Sequence, residues 1–362
     1  MPPHTAPPAE PRAGHSRPAA PLPSATAERT RPAAMLAAVT AHELRDFLPE
    51  PLLGELRGVA SRFSHLDPTD LAAADFHRIL AREDPEILVT GWKTPPLPAV
   101  LPPRLRYVCH LVGSVKHILT RDHLAQGLLV TNWGGSISRI VAEWALFHIL
   151  SCLRRATYWT LAMHREEGWK NLGTETASLF GRRVGLHGFG QIARELVRLL
   201  EPFGCHITAH APDITPELEA RYGINGTPSL EALFAENDIV VELAPLNRET
   251  EGAVTEHHLR LLKPGSVFVN VGRGAVVDED ALVRVAREGK VMFGLDVFRT
   301  EPLPATHSLR GLHNVSLTPH IGGPTTDRRR DAGAFAVRNL RAYAAGTRLD
   351  AVITPELYDR SS

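Results

Sequence analysis

An arginine, a glutamate and a histidine stand far apart in the second half of the chain, each inside a short segment of turn-forming residues. Arg273 lies in Asn270-Val271-Gly272-Arg273-Gly274, Glu301 in the segment 295–302, and His320 in Thr318-Pro319-His320-Ile321-Gly322-Gly323. Arginine offers a planar, permanently charged fork that matches a carboxylate. Histidine, with a reference pKa of about 6.5, holds or releases a proton near neutrality, and a neighbouring carboxylate favours its charged form. Reducing a 2-oxo acid needs a cation for the carboxylate and ketone, a proton donor beside the ketone oxygen, and a hydride over the carbonyl carbon. Singly, each residue has a plainer reading: a surface ion pair for Arg273, a loop carboxylate capping the turn at Pro302 for Glu301, a satisfied buried histidine for His320. Three of them, each after a strand-like run and all downstream of a nucleotide-binding turn, favour the chemical reading.

That turn is Gly188-Phe189-Gly190-Gln191-Ile192-Ala193, entered by a strand-like run, Arg183 to His187, and left by a helical one, Gln191 to Leu200. Gly188 makes a tight turn and Gly190 lets the backbone approach a pyrophosphate, which then rests on the positive end of the helix. Alone the string is a weak signal; the flanking strand and helix make it a dinucleotide site. About 20 residues on, an acidic side chain usually receives the adenine ribose hydroxyls. Here the sequence reads His210-Ala211-Pro212-Asp213, with the carboxylate displaced to Asp213 and no arginine for a 2'-phosphate. NAD is the expected cofactor, with NADP as the open alternative.

The elements that must position these residues follow from alternation. From Met35 to Val130 the strand-like runs 35–40, 86–92, 105–112 and 128–132 alternate with helical stretches, and a proline cluster from Pro95 to Pro103 makes a loop between two of them. One long helix is expected from Ile140 to Glu167. A second alternation follows, with strands at 182–187, 206–210, 238–243, 266–272, 291–297 and 314–320, and a last helix runs from Thr326 to Ala345. Such alternation predicts an α/β fold with two doubly wound parallel-sheet domains. The last helix has no sheet of its own and is expected to return to the first domain. The boundaries read are a disordered extension at 1–34, a discontinuous catalytic domain at 35–140 plus 325–355, and a dinucleotide-binding domain at 141–324.

A chain of 362 residues exceeds one comfortable core. Its 40 Lys and Arg balance 40 Asp and Glu, which gives no field to draw nucleic acid or an anionic membrane. No apolar run is long enough for a membrane span, and the proline-rich first 34 residues lack the apolar core of a secretory signal. Cys109, Cys152 and Cys205, odd in number and set in apolar runs, suit reduced thiols and a cytoplasmic location. No metal is expected, because neither His110, His117 and His123 nor His257 and His258 has ligand spacing. Arg328, Arg329 and Arg330 read as a solvated face. Lys93, after a strand of the first domain, is a candidate second cation for the pocket.

On these motifs the chain resembles the D-isomer-specific 2-hydroxyacid dehydrogenase family from about Met35 to Ala351. The resemblance implies a Rossmann NAD-binding domain inserted into a discontinuous flavodoxin-like catalytic domain, with the active site in the cleft between them. It implies that Arg273 binds substrate, that His320 is the general acid in reduction and the base in oxidation, and that Glu301 supports the histidine. Gly188, Gly190, Gln191, Ile192, Ala244, Pro245, Thr250, Val271 and Asp296 would meet the cofactor, Asp296 through the nicotinamide amide. Val112, Gly113 and Ser114 would meet the substrate carboxylate. A homodimer through the long helix and the stretch after it is a further implication. Ala211, and Glu242 where a histidine is more usual, depart from the pattern. Two rival readings share the scaffold: phosphite oxidation, and an NAD-sensing corepressor-like binding role. Formate enzymes carry glutamine at the position of Glu301, so the glutamate argues against formate. Glyoxylate, hydroxypyruvate, pyruvate and 3-phosphohydroxypyruvate all satisfy the motifs.

Overall fold

The structure, a computed structural model, describes residues 32–171 and 175–360. Of the extension expected at 1–34, residues 1–31 lie outside the described residues. The first sheet begins immediately after them: the carbonyls of Pro32 and Ala33 accept from the amides of Ser61 and Arg62.

The first sheet holds β1 (Ala34–Ala38), β2 (Arg62–Leu66), β3 (Ile87–Thr90), β4 (Tyr107–His110) and β5 (Leu129–Thr131), all parallel, in the order β2-β1-β3-β4-β5. That is the flavodoxin-like order. Its helices are α1 (Ala41–Phe47), α2 (Leu52–Arg57), α3 (Ala73–Glu83) and α4 (Arg121–Ala125). β1, β3 and β4 are buried at every position, as expected of parallel strands covered on both faces. Thr40 and Glu43 form a capping box that starts α1 directly after β1.

The chain then enters α5 (Ser138–Leu153) and α6 (Ala156–Arg165). The single helix expected at 140–167 is thus two. Arg155 takes a left-handed conformation, φ 50°, that breaks the hydrogen-bond ladder between them. Neither glycine nor proline marks the break, so apolar periodicity runs through it unflagged.

The second sheet holds β6 (Arg183–His187), β7 (His206–His210), β8 (Ile224–Gly226), β9 (Ile239–Glu242), β10 (Val267–Asn270), β11 (Met292–Leu295) and β12 (Val315–Leu317). All are parallel, in the order β12-β11-β10-β9-β6-β7-β8, the doubly wound nucleotide-binding arrangement with its switch point between β6 and β9. Its helices are α7 (Gln191–Leu200), α8 (Pro216–Tyr222), α9 (Leu230–Glu236), α10 (Glu256–Leu261) and α11 (Glu279–Arg287). α5 packs on α7, β10, β11 and β12 and so belongs to this sheet. α12 (Arg329–Ala345) crosses back to α1, α2 and β4, and α13 (Pro355–Arg360) lies on α4. β2 and β8, each at a sheet edge, were not expected from sequence; both are largely exposed and lack the apolar run that marks the other strands. No helix among the described residues is long and apolar enough to cross a membrane.

Candidate active site

The carboxyl ends of the second sheet's strands carry most of the sequence candidates. β6 ends at His187 and the chain turns at Gly188 with φ 91°, a conformation that favours glycine. A methyl group there would lie 2.8 Å from the Ala244 amide nitrogen, so the turn is packed against the loop after β9. Gly190 is the opposite case: a methyl group would meet nothing within 4 Å, which leaves room over the start of α7. Gln191 is exposed, Ile192 half-buried, and Ala193 sits fully buried beneath them. A closed turn, an open helix start and no side-chain cap fit a dinucleotide pyrophosphate. Beyond the switch point, Ala244 is buried and Pro245 exposed, and Thr250 Oγ1 donates to the Pro245 carbonyl at 2.5 Å, closing that loop on itself. Val271 is buried after β10. At the adenosine end, His210 Nδ1 donates to the Thr227 carbonyl at 2.9 Å, Ala211 is half-buried and Asp213 exposed.

Two of the trio are in contact, and the third shares their electrostatic environment. His320 Nδ1 and Glu301 Oε2 are 2.6 Å apart, and the other Glu301 oxygen accepts the Phe298 amide at 2.9 Å. Arg273 follows β10 and is half-buried, its Nη1 donating to the Gly272 carbonyl at 2.9 Å. Burial pulls its guanidinium pKa down while the charge of Glu301 opposes that, which places the two side chains in one electrostatic environment. Gly274 permits this convergence, because a methyl group there would collide with the Phe298 backbone at 2.0 Å. Arginine stays charged in any such setting.

His320 itself has φ 53°, a left-handed conformation uncommon for a residue with a side chain. A buried carboxylate holds it there. Asp296 is almost fully buried; its Oδ1 accepts from Thr318 Oγ1 at 2.6 Å and the Ile321 amide at 3.0 Å, and its Oδ2 accepts the Gly322 amide at 2.8 Å. The His320 amide donates to the Asp296 carbonyl at 2.8 Å. Sequence reasoning assigned Asp296 to the cofactor; here its carboxylate is bonded on both oxygens to the loop that presents His320. His148, from α5, extends this network by donating from Nε2 to Thr318 Oγ1 at 3.0 Å. Burial pulls His148 down to about 4, against the opposing charge of Asp296, so the ring is neutral. Its Nδ1 is buried with no hydrogen-bond partner among the described residues.

Val112, Gly113 and Ser114 follow β4, at the carboxyl end of the first sheet, and their hydrogen bonds run to their own domain. Asn132 Nδ2 donates to the Gly113 carbonyl at 2.7 Å, and a methyl group on Gly113 would lie 2.8 Å from the Trp133 ring. His110 donates from Nε2 to the Ser114 carbonyl at 3.1 Å and accepts the Thr90 hydroxyl at Nδ1, 2.8 Å away; burial pulls its pKa to about 3. Set aside on sequence as part of a loose histidine cluster, it braces the loop of Val112 to Ser114. Trp92 packs edge-on to Trp133, and Arg329 lies over Trp92 at 5.3 Å while its Nη1 donates to Asp46 at 2.6 Å. Arg329 is therefore a bridge from α12 to this wall, not part of the solvated face expected of Arg328 to Arg330. Lys93 is exposed beside Trp92. The bridges made by Arg329 and between Trp92 and Trp133 were not legible in sequence, because they join segments far apart in the chain. Among the described residues no group of three or more His, Cys, Asp or Glu side chains could hold a metal ion.

The chain is similar to known proteins along much of its length. Residues 146–322 match the family model described as D-isomer specific 2-hydroxyacid dehydrogenase, NAD binding domain. Over 252 residues the chain is 34% identical to a glyoxylate reductase of Thermococcus onnurineus, covering 67% of this chain and 75% of that one. It is 31% identical over 266 residues to 4-methyl-2-oxopentanoate reductase A of Aspergillus oryzae, covering 73% and 79%. The solved structure of a glyoxylate reductase from Paecilomyes thermophila superposes with a TM-score of 0.77 at 25% identity, over 90% of this chain and all of that one.

Proposed function

Because the chain belongs to the D-isomer specific 2-hydroxyacid dehydrogenase family, we propose that it reduces a small 2-oxo acid of the glyoxylate class with NADH, using Arg273, Glu301 and His320. It is an oxidoreductase of the CH–OH group of 2-hydroxy acids with an NAD-binding domain. The observation that carries the residue assignment is the 2.6 Å contact between His320 Nδ1 and Glu301, next to a half-buried arginine at the end of a neighbouring strand. With Nδ1 engaged, Nε2 is the ring nitrogen left to hand a proton to the ketone oxygen. Glu301 orients the ring and stabilises its charged form. Arg273 holds the carboxylate and polarises the ketone, and the backbone of Val112 to Ser114 offers a second anchor across the cleft. NADH, when bound, would supply the hydride for the carbonyl carbon and be oxidised to NAD, and the proton from His320 would complete the hydroxyl. In the reverse direction His320 takes the proton back.

The cofactor set comprises Gly188, Gly190, Gln191, Ile192, Ala244, Pro245, Thr250, Val271 and Asp296. NAD is preferred to NADP because no arginine stands near His210 to Asp213 to meet a 2'-phosphate. The catalytic domain is 35–140 plus 325–355 and the nucleotide domain 141–324, supported by the return of α12 to α1, α2 and β4. The chain works as a homodimer: Phe147, Met163, Trp169 and Phe180, on and after the α5–α6 region, are all exposed. Its thiols suit a reducing, cytoplasmic compartment; Cys109 and Cys152 are buried and Cys205 half-buried, and none is paired.

The test is loss of NADH absorbance with glyoxylate, hydroxypyruvate, pyruvate, 3-phosphohydroxypyruvate and 4-methyl-2-oxopentanoate, run beside NADPH and a phosphite-with-NAD arm. Turnover of an oxo acid with NADH is expected. Saturable NADH binding without turnover in any arm would move the reading to cofactor sensing, and turnover in the phosphite arm alone would move it to phosphite oxidation.

A further inference from the structure

Across the carboxyl edge of the second sheet, the last residues of four adjacent strands lie in register: His210 of β7, His187 of β6, Glu242 of β9 and Asn270 of β10. Each is polar at a level where the strands beneath are apolar. Asn270 ties down the loop of Arg273, accepting the Gly272 amide at 3.0 Å and donating to the Arg273 carbonyl at 3.1 Å. Glu242 has the more unusual setting. It is fully buried, and its two oxygens go to opposite sides of the cofactor cleft: Oε2 lies 2.5 Å from His187 Nδ1, and Oε1 accepts the Ala244 amide at 2.8 Å. His187 immediately precedes Gly188, whose Cα faces that same Ala244 amide. One carboxylate therefore joins the strand that enters the glycine turn to the loop opposite it.

We propose that Glu242 and His187 are a positioning pair for the cofactor, a buried clasp that holds the glycine turn against the Ala244 loop and makes NADH affinity depend on the proton carried by His187. The inference rests on the cofactor reading above. A pair that served packing alone would have no need of charge, since two apolar side chains fill buried strand positions at lower desolvation cost. Here the charge is used twice, once for the imidazole and once for a loop amide. Burial by itself would pull the His187 pKa down, but the charge and hydrogen bond of Glu242 outweigh it and hold the ring above its ordinary value. The other titratable groups around the ring are His210, stacked at 5.7 Å, and His258 of α10, which has Glu231 of α9 at 3.6 Å. Neither supplies a negative charge directly to His187. Below its raised pKa the clasp is a charged pair; as the pH climbs through that value the ring gives up its second proton, Nδ1–H still faces Glu242, and the buried carboxylate loses its countercharge. The hold between turn and loop then weakens from a charged pair to a hydrogen bond.

The deciding measurement is the Kd of NADH by fluorescence titration of the full chain from pH 6 to 10, with no oxo acid present. For the native protein the Kd is expected to hold steady on the acid side and rise about tenfold through one ionisation as the pH increases, the size expected for one charge-assisted hydrogen bond. Glu242→Gln should weaken binding at neutral pH and move the ionisation downward. The double variant His187→Leu with Glu242→Leu keeps the strands filled and should bind NADH with no dependence on pH. A flat native profile overturns the proposal without needing any variant, and so does an ionisation that persists unchanged in the double variant. Absence of NADH binding at every pH would instead overturn the cofactor reading on which the clasp depends.

Discussion

At the scale of single residues, the proposed active site is a set of polar side chains held by hydrogen bonds to their neighbours. His320 sits at φ 53° between Pro319 and a loop bonded to Asp296, and Glu301 reaches its Nδ1 at 2.6 Å. Replacing His320 by Ala removes the proposed proton donor and none of the proposed cofactor contacts, so kcat should fall about 10³-fold, the range of a lost general acid, with the Kd of NADH unchanged. Stopped-flow reduction of glyoxylate beside a binding titration checks both halves, and an equal loss in Kd would contradict the assigned role. Arg273→Lys keeps a charge but loses the fork, and kcat/KM for the oxo acid is expected to drop about 10²-fold through KM as well as kcat. Arg273, Glu301 and His320 were legible in sequence because glycines and prolines frame them and strand-like runs precede them. Thr318, His148 and His110 were not. Thr318 acts through a carboxylate 22 positions earlier, and His148 through a hydroxyl 170 positions later.

At the scale of elements, α5 does more than carry the chain between sheets. It packs on β10, β11 and β12 and inserts His148 beneath the His320 loop, while Trp144 lies so close to Gly322 that a methyl group there would be 2.6 Å from its ring. Burial holds His148 at about 4 and His110 at about 3, both below an unfolded value of about 6.5. The sign follows from proton uptake: below about 6.5 the unfolded chain binds protons that the native rings refuse, so stability is intact near neutrality and declines as the pH falls towards 4. Each ring contributes about 1.4 kcal/mol per pH unit over that window. Urea unfolding at pH 7 and pH 5 should show that loss, and His148→Gln should reduce the pH dependence while lowering stability at pH 7. An unaltered slope in the variant would show that His148 is not the group responsible. The break at Arg155 and the edge strands β2 and β8 escaped sequence reading for a shared reason. Periodicity reports which face is buried, and says little where a helix changes direction without glycine or where a strand is short, polar and largely open to solvent.

At the scale of the whole molecule, the chain passes from one parallel sheet to the other at α5 and returns with α12, and the proposed site draws on both. A methyl group on Gly135, just before α5, would lie 3.5 Å from Gln191 at the cofactor turn, so the linker and the turn already touch. The exposed Phe147, Met163 and Trp169 predict a dimer by light scattering, and Met163→Lys with Trp169→Lys should shift it towards monomer. A native monomer would remove the dimer while leaving the cleft chemistry as it stands. The sequence alone carried the fold class and the glycine turn, and it singled out the three residues proposed to react, because these depend on local signals: alternating apolar runs, backbone conformations that only glycine tolerates easily, and residue types suited to one chemistry. It could not show that Glu242 answers His187, that Asp296 braces the histidine loop, or that Arg329 reaches Trp92. Those pairings join strands and helices that meet only once both sheets have closed, and a buried charge acquires its meaning from the partner that burial forces on it.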